Sequence, residues 1–199
     1  THKYDFGNGV SIKSDWAGSY NHMQRVGKLT LPETLMNSGT NAAAYEFTFF
    51  PESSKVYLEN AIPRFKASLA NTFTFGKLDI LLRNSYFGKV TEPGSTDVNL
   101  DGSSSIYEHP VYGGKLITDL SLSYQYNKNL RFTVGANNIG DVYPDLNPTT
   151  VPSFTNTSPG LSSSPSTDLS NANQFVYSRA VSQFGLNGRY LFARVNFNF

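Results

Sequence analysis

The sequence predicts an all-β fold: a run of antiparallel strands from a transmembrane β-barrel. Three observations carry that prediction. Segments alternate apolar and polar residues, connections alternate short and long, and aromatic residues gather at one end of the strands.

The clearest alternation spans residues 188–199. Leu191, Ala193, Val195, Phe197 and Phe199 fall on one face, and Tyr190, Phe192, Arg194, Asn196 and Asn198 on the other. Successive side chains of a strand point to opposite faces, so this pattern specifies one apolar and one mostly polar side. Five further segments read the same way. Residues 116–126 set Leu116, Leu120, Leu122, Tyr124 and Tyr126 opposite Asp119, Ser121, Ser123 and Gln125. Residues 130–138 alternate Leu130, Phe132, Val134 and Ala136 with Arg131, Thr133 and Asn137. Residues 64–75 set Phe65, Ala67, Leu69, Phe73 and Phe75 against Arg64, Lys66, Ser68, Thr72 and Thr74. Residues 78–88 are less regular, because Leu81 and Phe87 interrupt the alternation of Leu78, Ile80, Leu82 and Tyr86 with polar neighbours. Residues 10–23 give the weakest pattern, with Val10, Ile12, Trp16 and Tyr20 opposing Lys13, Asp15 and Ser19.

The connections follow a second rhythm. Gly76-Lys77 and Asn127-Lys128 sit in tight hairpins, where Gly and Asn accept the unusual backbone angles. Between them lie long polar stretches at roughly 27–62, 89–115 and 140–174 or beyond. Compact soluble domains rarely carry structureless loops of that length. Outer-membrane barrels do, with short periplasmic turns and long extracellular loops. Strands of about 11 residues, rising roughly 3.3 Å each and tilted near 45°, cover about the 25 Å apolar band of such barrels. Each strand running toward the short-turn side ends in an aromatic pair: Phe73 and Phe75, Tyr124 and Tyr126, Phe197 and Phe199. Aromatic rings at one depth form a membrane girdle. The competing reading is a soluble β-sandwich, carbohydrate-binding, whose aromatics are core.

Composition narrows the function classes. Charge is nearly balanced, 16 Lys+Arg against 15 Asp+Glu, so no basic surface for nucleic acid is expected. The absence of cysteine removes disulfides and thiolate metal sites. No run reaches the roughly 18–20 apolar residues of a membrane helix, and mean hydropathy is negative. Membrane strands escape both tests, since only alternate residues face lipid. The start, Thr1-His2-Lys3-Tyr4, lacks the charged and apolar regions of a signal peptide. A leader is therefore expected to have been removed or to belong to a longer precursor.

Residues 129–145 read NLRFTVGANNIGDVYPD. This stretch resembles the penultimate-strand signature of TonB-dependent receptors, matching at Asn129, Leu130, Gly135, Asn137, Asn138, Ile139, Asp141 and Tyr143. It departs at Gly140, where the family usually has Phe. Gly188-Arg189-Tyr190, followed by alternation to Phe199, resembles the family's last strand, and Ala61 to Lys66 resembles its recurrent x-x-P-x-x-K strand start. The resemblance implies an energy-coupled importer in the outer membrane of a Gram-negative bacterium. It implies a 22-strand barrel, of which residues 1–199 supply about the last six strands, as a C-terminal part without the plug domain. The implied partners are the rest of the barrel, the plug, TonB contacted through that plug, outer-membrane lipid and a small nutrient, by default a ferric siderophore or other iron chelate. It also implies that Phe199 belongs to the assembly signal. A small independent porin or adhesin barrel is the alternative.

No catalytic motif accompanies His2, His22 and His109, and neither an enzyme nor a resident cofactor is expected. Arg64, Lys66, Arg83, Arg131 and Arg194 fall on polar faces and are expected to point into the barrel. One loop has metal-ligand spacing: Asp97, Asn99 and Asp101, then Gly102 and Glu108, fit the D-x-[DN]-x-[DN]-G-x₅-E pattern for Ca²⁺, with the Ser103 carbonyl completing the set. Against it, Ser104 occupies a usually hydrophobic position, and Pro93 and Pro110 argue against flanking helices. An ordinary Asp/Asn/Gly-rich turn is the other reading.

Overall fold

The computed structural model describes residues 1–24, 27, 32–33, 52–93, 109–147 and 174–199. Alternating segments become strands: β1 His2–Gly7, β2 Val10–Tyr20, β3 Phe65–Phe75, β4 Leu78–Phe87, β5 Val90–Thr91, β6 Val111–Tyr112, β7 Lys115–Gln125, β8 Leu130–Asn137 and β9 Tyr190–Phe197. Helix α1 spans Glu52–Asn60. It stops before Pro63, which has no N–H to continue the ladder and is itself fully buried. None of the described helical residues forms a span long and apolar enough to cross a membrane.

Seven strands form one antiparallel sheet in the order β1-β2-β3-β4-β7-β8-β9, while β5 and β6 pair as a separate two-stranded ribbon. The all-β expectation holds at this level, and the sheet is a meander in which each strand pairs with its sequence neighbour in the sheet.

Two details differ from the sequence reading, and a third agrees with it. The sheet has seven strands where six segments were legible, because β1 is only six residues long and offers few periods to count. The stretch expected as loop at 27–62 contains α1, whose burial centres on Val56 alone. Leu81 and Phe87, which break the alternation, sit on the polar face, where Leu81 pairs with Ser121 and Phe87 with Lys115. The Phe87 ring packs on Phe184 at 5.6 Å, so its odd position serves a contact with the β8–β9 connection.

All three tight connections lie at one end of the sheet. Asn8-Gly9 joins β1 to β2, Gly76-Lys77 joins β3 to β4, and residues 126–129 join β7 to β8. Gly76 adopts φ +58°, the left-handed region such a turn requires. The long connections, β2–β3, β4–β7 and β8–β9, all leave from the opposite end.

The apolar residues of the sheet do not meet in a core. Among the described residues, the buried cluster is Ala61, Val90, Tyr112 and Val181, which belong to the long connections and the β5–β6 ribbon. Phe65, Leu69, Leu116, Leu122, Phe132 and Val195 stay exposed on the sheet. No second layer covers this face among the described residues.

Candidate functional site

Pairing registers sort the strands into two faces. The apolar face carries Ile12, Trp16, Leu69, Phe73, Ile80, Leu82, Leu120, Leu122, Val134 and Ala193 through its middle. Two polar pairs interrupt it. Ser14 Oγ donates to Asn71 Oδ1 at 2.7 Å, and Thr118 Oγ1 donates to Asn84 Oδ1 at 2.8 Å. Each pair bridges adjacent strands, so these oxygens have partners without help from solvent.

The turn-end aromatics follow a sloping line across this face. On β3 the pair is Phe73 and Phe75, and Phe75 shares a row of paired residues with Leu78, Tyr124, Phe132 and Val195. Tyr126 lies one residue pair nearer the turns, where its N–H donates to the carbonyl of Leu130, the partner of Phe197. Phe199 lies beyond. The aromatic pair thus moves two residues toward the turns for every two strands crossed, from β3 to β7 and from β7 to β9. Two residues span roughly 6.7 Å and two strand spacings roughly 9.5 Å, so the line slopes about 35° to the rows. On β1, Tyr4 and Phe6 pack edge to face at 4.7 Å, with Tyr4 in the same row as Phe73 through Ile12, so the aromatic line is level from β1 to β3 and slopes from β3 onward.

A second strip, which the sequence reading did not single out, runs along the loop end. Tyr20 pairs with Phe65, and one step nearer the turns Tyr86 pairs with Ala67 and Leu116. Its slope has the same sense. Ten residues separate Phe65 from Phe75 and Leu116 from Tyr126, so the two strips keep a constant spacing.

The opposite face is polar and largely self-neutralised. Arg83 binds Asp119 on the adjacent strand at 2.6 Å, and Arg131 pairs with Asp79 across β7. Thr74 donates to Asp79 at 2.8 Å, and the Ser123 and Thr133 hydroxyls meet at 2.8 Å. Lys66 and Arg194 lie on the same face by register. Arg64 precedes β3 and donates to Asn60 at 3.0 Å. Near the turns this face opens on a recess of about 520 Å³ lined by Gln125, Asn129, Arg131, Asn196 and Asn198.

At the loop end, side chains knit the long connections together. Gln183, buried, donates through Nε2 to the carbonyls of Gly88 (2.6 Å) and Gly113 (2.8 Å). Asp145 accepts from the Gly113 N–H at 2.6 Å and from Lys115 Nζ at 2.5 Å. Those contacts, led by Lys115, hold its carboxyl below the ordinary value. The Tyr112 hydroxyl donates to Glu92 at 2.6 Å and lies 2.7 Å from Asn147 Oδ1. Burial, with the Glu92 carboxylate beside it, pushes that hydroxyl far above the usual phenol range. Asn147 in turn donates to the Phe175 carbonyl at 2.9 Å.

The stretch quoted above as a family resemblance has a local structural logic. Asn138, buried at φ 51°, closes a turn by accepting from the Val142 N–H (2.9 Å) and donating to the Val142 carbonyl (2.8 Å). Its own N–H donates to Asp119 at 2.7 Å, which ties the turn to β7. Asp141 accepts from the Arg189 N–H at 2.8 Å, just before β9 begins. Gly188 has φ +63°, and a Cβ there would collide with the Tyr143 hydroxyl. Asn138 therefore fixes the turn after β8 against β7, while Asp141 and Tyr143 meet the returning chain at Gly188 and Arg189, where it enters β9.

The candidate calcium ligands Asp97, Asn99, Asp101, Ser103 and Glu108 lie outside the described residues. Among the described residues, no group of three or more His, Cys, Asp or Glu side chains could hold a metal. His2 lies on β1 and His22 just beyond β2, while His109 Nδ1 sits 3.2 Å from the Glu92 carbonyl. No protein-family model, no curated protein and no solved structure matches the chain.

Proposed function

We propose that this sheet is a section of an outer-membrane β-barrel, with its apolar face in lipid and its polar face toward the lumen. The observation that carries this reading is the slope of the two aromatic strips. Strands of closed barrels tilt typically 35–45° from the barrel axis. A line sloping about 35° across the strand rows therefore lies close to the plane of the membrane. On this reading Phe73, Phe75, Tyr124, Tyr126, Phe197 and Phe199 form the periplasmic girdle. Tyr20, Phe65 and Tyr86 form the outer one. Ten residues between strips rise about 33 Å along a strand, or about 25 Å along the membrane normal, matching the apolar band of such barrels.

The barrel section then belongs to a TonB-dependent receptor that takes up a scarce nutrient, by default an iron chelate. Support for this step is the resemblance at residues 129–145, together with the work its Asn138, Asp141 and Tyr143 do in joining β8 to β9. The paired charges of the inner face favour contact with a plug over an open path for anions, since Arg83 and Arg131 already face carboxylates. The knitted connections at the loop end would form part of the extracellular mouth.

Uptake of labelled iron chelates, haem and oligosaccharides should be compared in parent, gene-deleted and complemented strains. The expected result is loss of energy-dependent uptake of one solute class, restored by the complementing gene. Unchanged uptake of every class, or uptake that survives a protonophore, counts against a TonB-dependent receptor.

A further inference from the structure

We infer that the apolar face carries a pairing site for a second copy of this chain, centred on the side-chain amides of Asn71 and Asn84. The inference rests on the membrane reading above and goes beyond it, since a barrel can lie in lipid alone.

Both residues break the apolar face. Asn71 alternates with Leu69 and Phe73 on β3, and Asn84 with Leu82 and Tyr86 on β4. Their oxygens are used within the sheet, by the hydroxyls of Ser14 and Thr118. Neither Nδ2 has a partner among the described residues, so each amide keeps two N–H groups without an acceptor. A bond between the two side chains would use one of these N–H groups and leave the others. Water satisfies such groups, but the hydrocarbon of a bilayer offers no acceptor. Their alignment gives the second clue. From Asn71 to Asn84 the step is one strand toward β9 and two residues toward the loop end, because Asn84 pairs with Leu69. Those distances are roughly 4.8 Å and roughly 6.7 Å, so the step climbs at about 54° to the rows. From β3 onward the aromatic strip slopes about 35° in the opposite sense, so the two lines cross close to a right angle. The two amides therefore stand one above the other along the membrane normal, about 8 Å apart.

Two upright barrels have convex walls, and they touch along a line parallel to that normal. A two-fold axis along the normal keeps both copies the same way up and sets each amide against its own counterpart. A carboxamide is self-complementary: it donates through its nitrogen, and its oxygen retains a lone pair after accepting one bond. Each copy thus supplies the acceptors that the other lacks. Apolar contact alone gives little preference over lipid, so hydrogen bonds of this kind help to decide which membrane surfaces associate. Trp16 sits two strands from Asn84 in the same row, roughly 8 Å to the side of the contact line, at a margin that still meets lipid.

Photocrosslinking of the natural full-length protein in cells tests this. The photoreactive amino acid p-benzoylphenylalanine replaces Leu82, beside the contact line, in one variant. In another it replaces Val134, exposed on the same face of β8 and well to the side of that line. The expected result is a product of twice the mass from position 82, with the captured residue on β2, β3 or β4 of the second copy, and little from position 134. Adding Asn71→Leu and Asn84→Leu to the Leu82 variant should leave the folded amount in the membrane unchanged and lower that product by about tenfold. Equal products from both positions, capture of a different protein from position 82, no product from the folded protein, or a product that survives the loss of both amides overturns the inference. Recovery of the protein from the soluble fraction is the distinct outcome that sinks the membrane reading, and the pairing site with it.

Discussion

Asp145 shows how single residues hold the loop end together. Its carboxylate joins Lys115, at the start of β7, to the Gly113 backbone, and these contacts lower its pKa below the ordinary 3.8. A carboxyl whose folded pKa is depressed stabilises the fold fully above its unfolded value and loses that contribution as pH falls through the folded value. Asp145→Asn should therefore lower the melting temperature at neutral pH. The gap between the natural protein and the variant should close as pH is taken well below 3.8. A gap of constant size across that range would remove Asp145 as the titrating tie. None of this was legible beforehand, because the partners are remote in sequence: Gln183 reaches Gly88 across 95 positions. The turn at Asn138 is the local case, since both side-chain bonds of Asn138 reach Val142 four residues on, whereas Asp141 reaches Arg189 across 48 positions.

Strands were readable where they are long and two-faced. β3, β7 and β9 emerge within two residues of their expected ends, since each carries a full set of alternating side chains. β4 was blurred by Leu81 and Phe87, and β1 was missed for want of length. Short elements leave too few periods for a pattern, and their pairing is decided by neighbours. The two faces of β7 allow a sharp comparison. Leu120 lies in the middle of the apolar face and Ser121 on the polar one. In lipid, Leu120→Arg should cost about 2–4 kcal/mol of folding stability, as arginine does at the bilayer midplane on a barrel's outer face. Ser121→Arg should cost far less, because its side chain stays in a polar lumen. Denaturant titration in lipid vesicles reads both. Equal costs for the two changes would contradict the assignment of faces.

At the scale of the molecule, the described residues do not supply the one thing a soluble sandwich needs, an apolar layer packed on the sheet's apolar face. Exposed apolar surface on this scale marks contact with a membrane or a partner. Both faces were legible in the alternation, and so were the aromatic pairs at the turn ends of β3, β7 and β9. The loop-end strip was not, because Tyr20, Phe65 and Tyr86 align only once the registers are known. The central claim is that the apolar face lies in lipid, and the chain carries its own reporter. Trp16 is the single tryptophan. It is 76% exposed on that face, six residues from Val10 and four from Tyr20 along β2. Its fluorescence should be measured with the natural full-length protein, any tryptophan outside residues 1–199 replaced by phenylalanine, in vesicles whose lipids carry bromine at defined acyl positions, and again with iodide in the water. The account predicts strong quenching by bromine deep in the acyl chains and almost none by iodide. Quenching by iodide, with bromolipids silent, would contradict it.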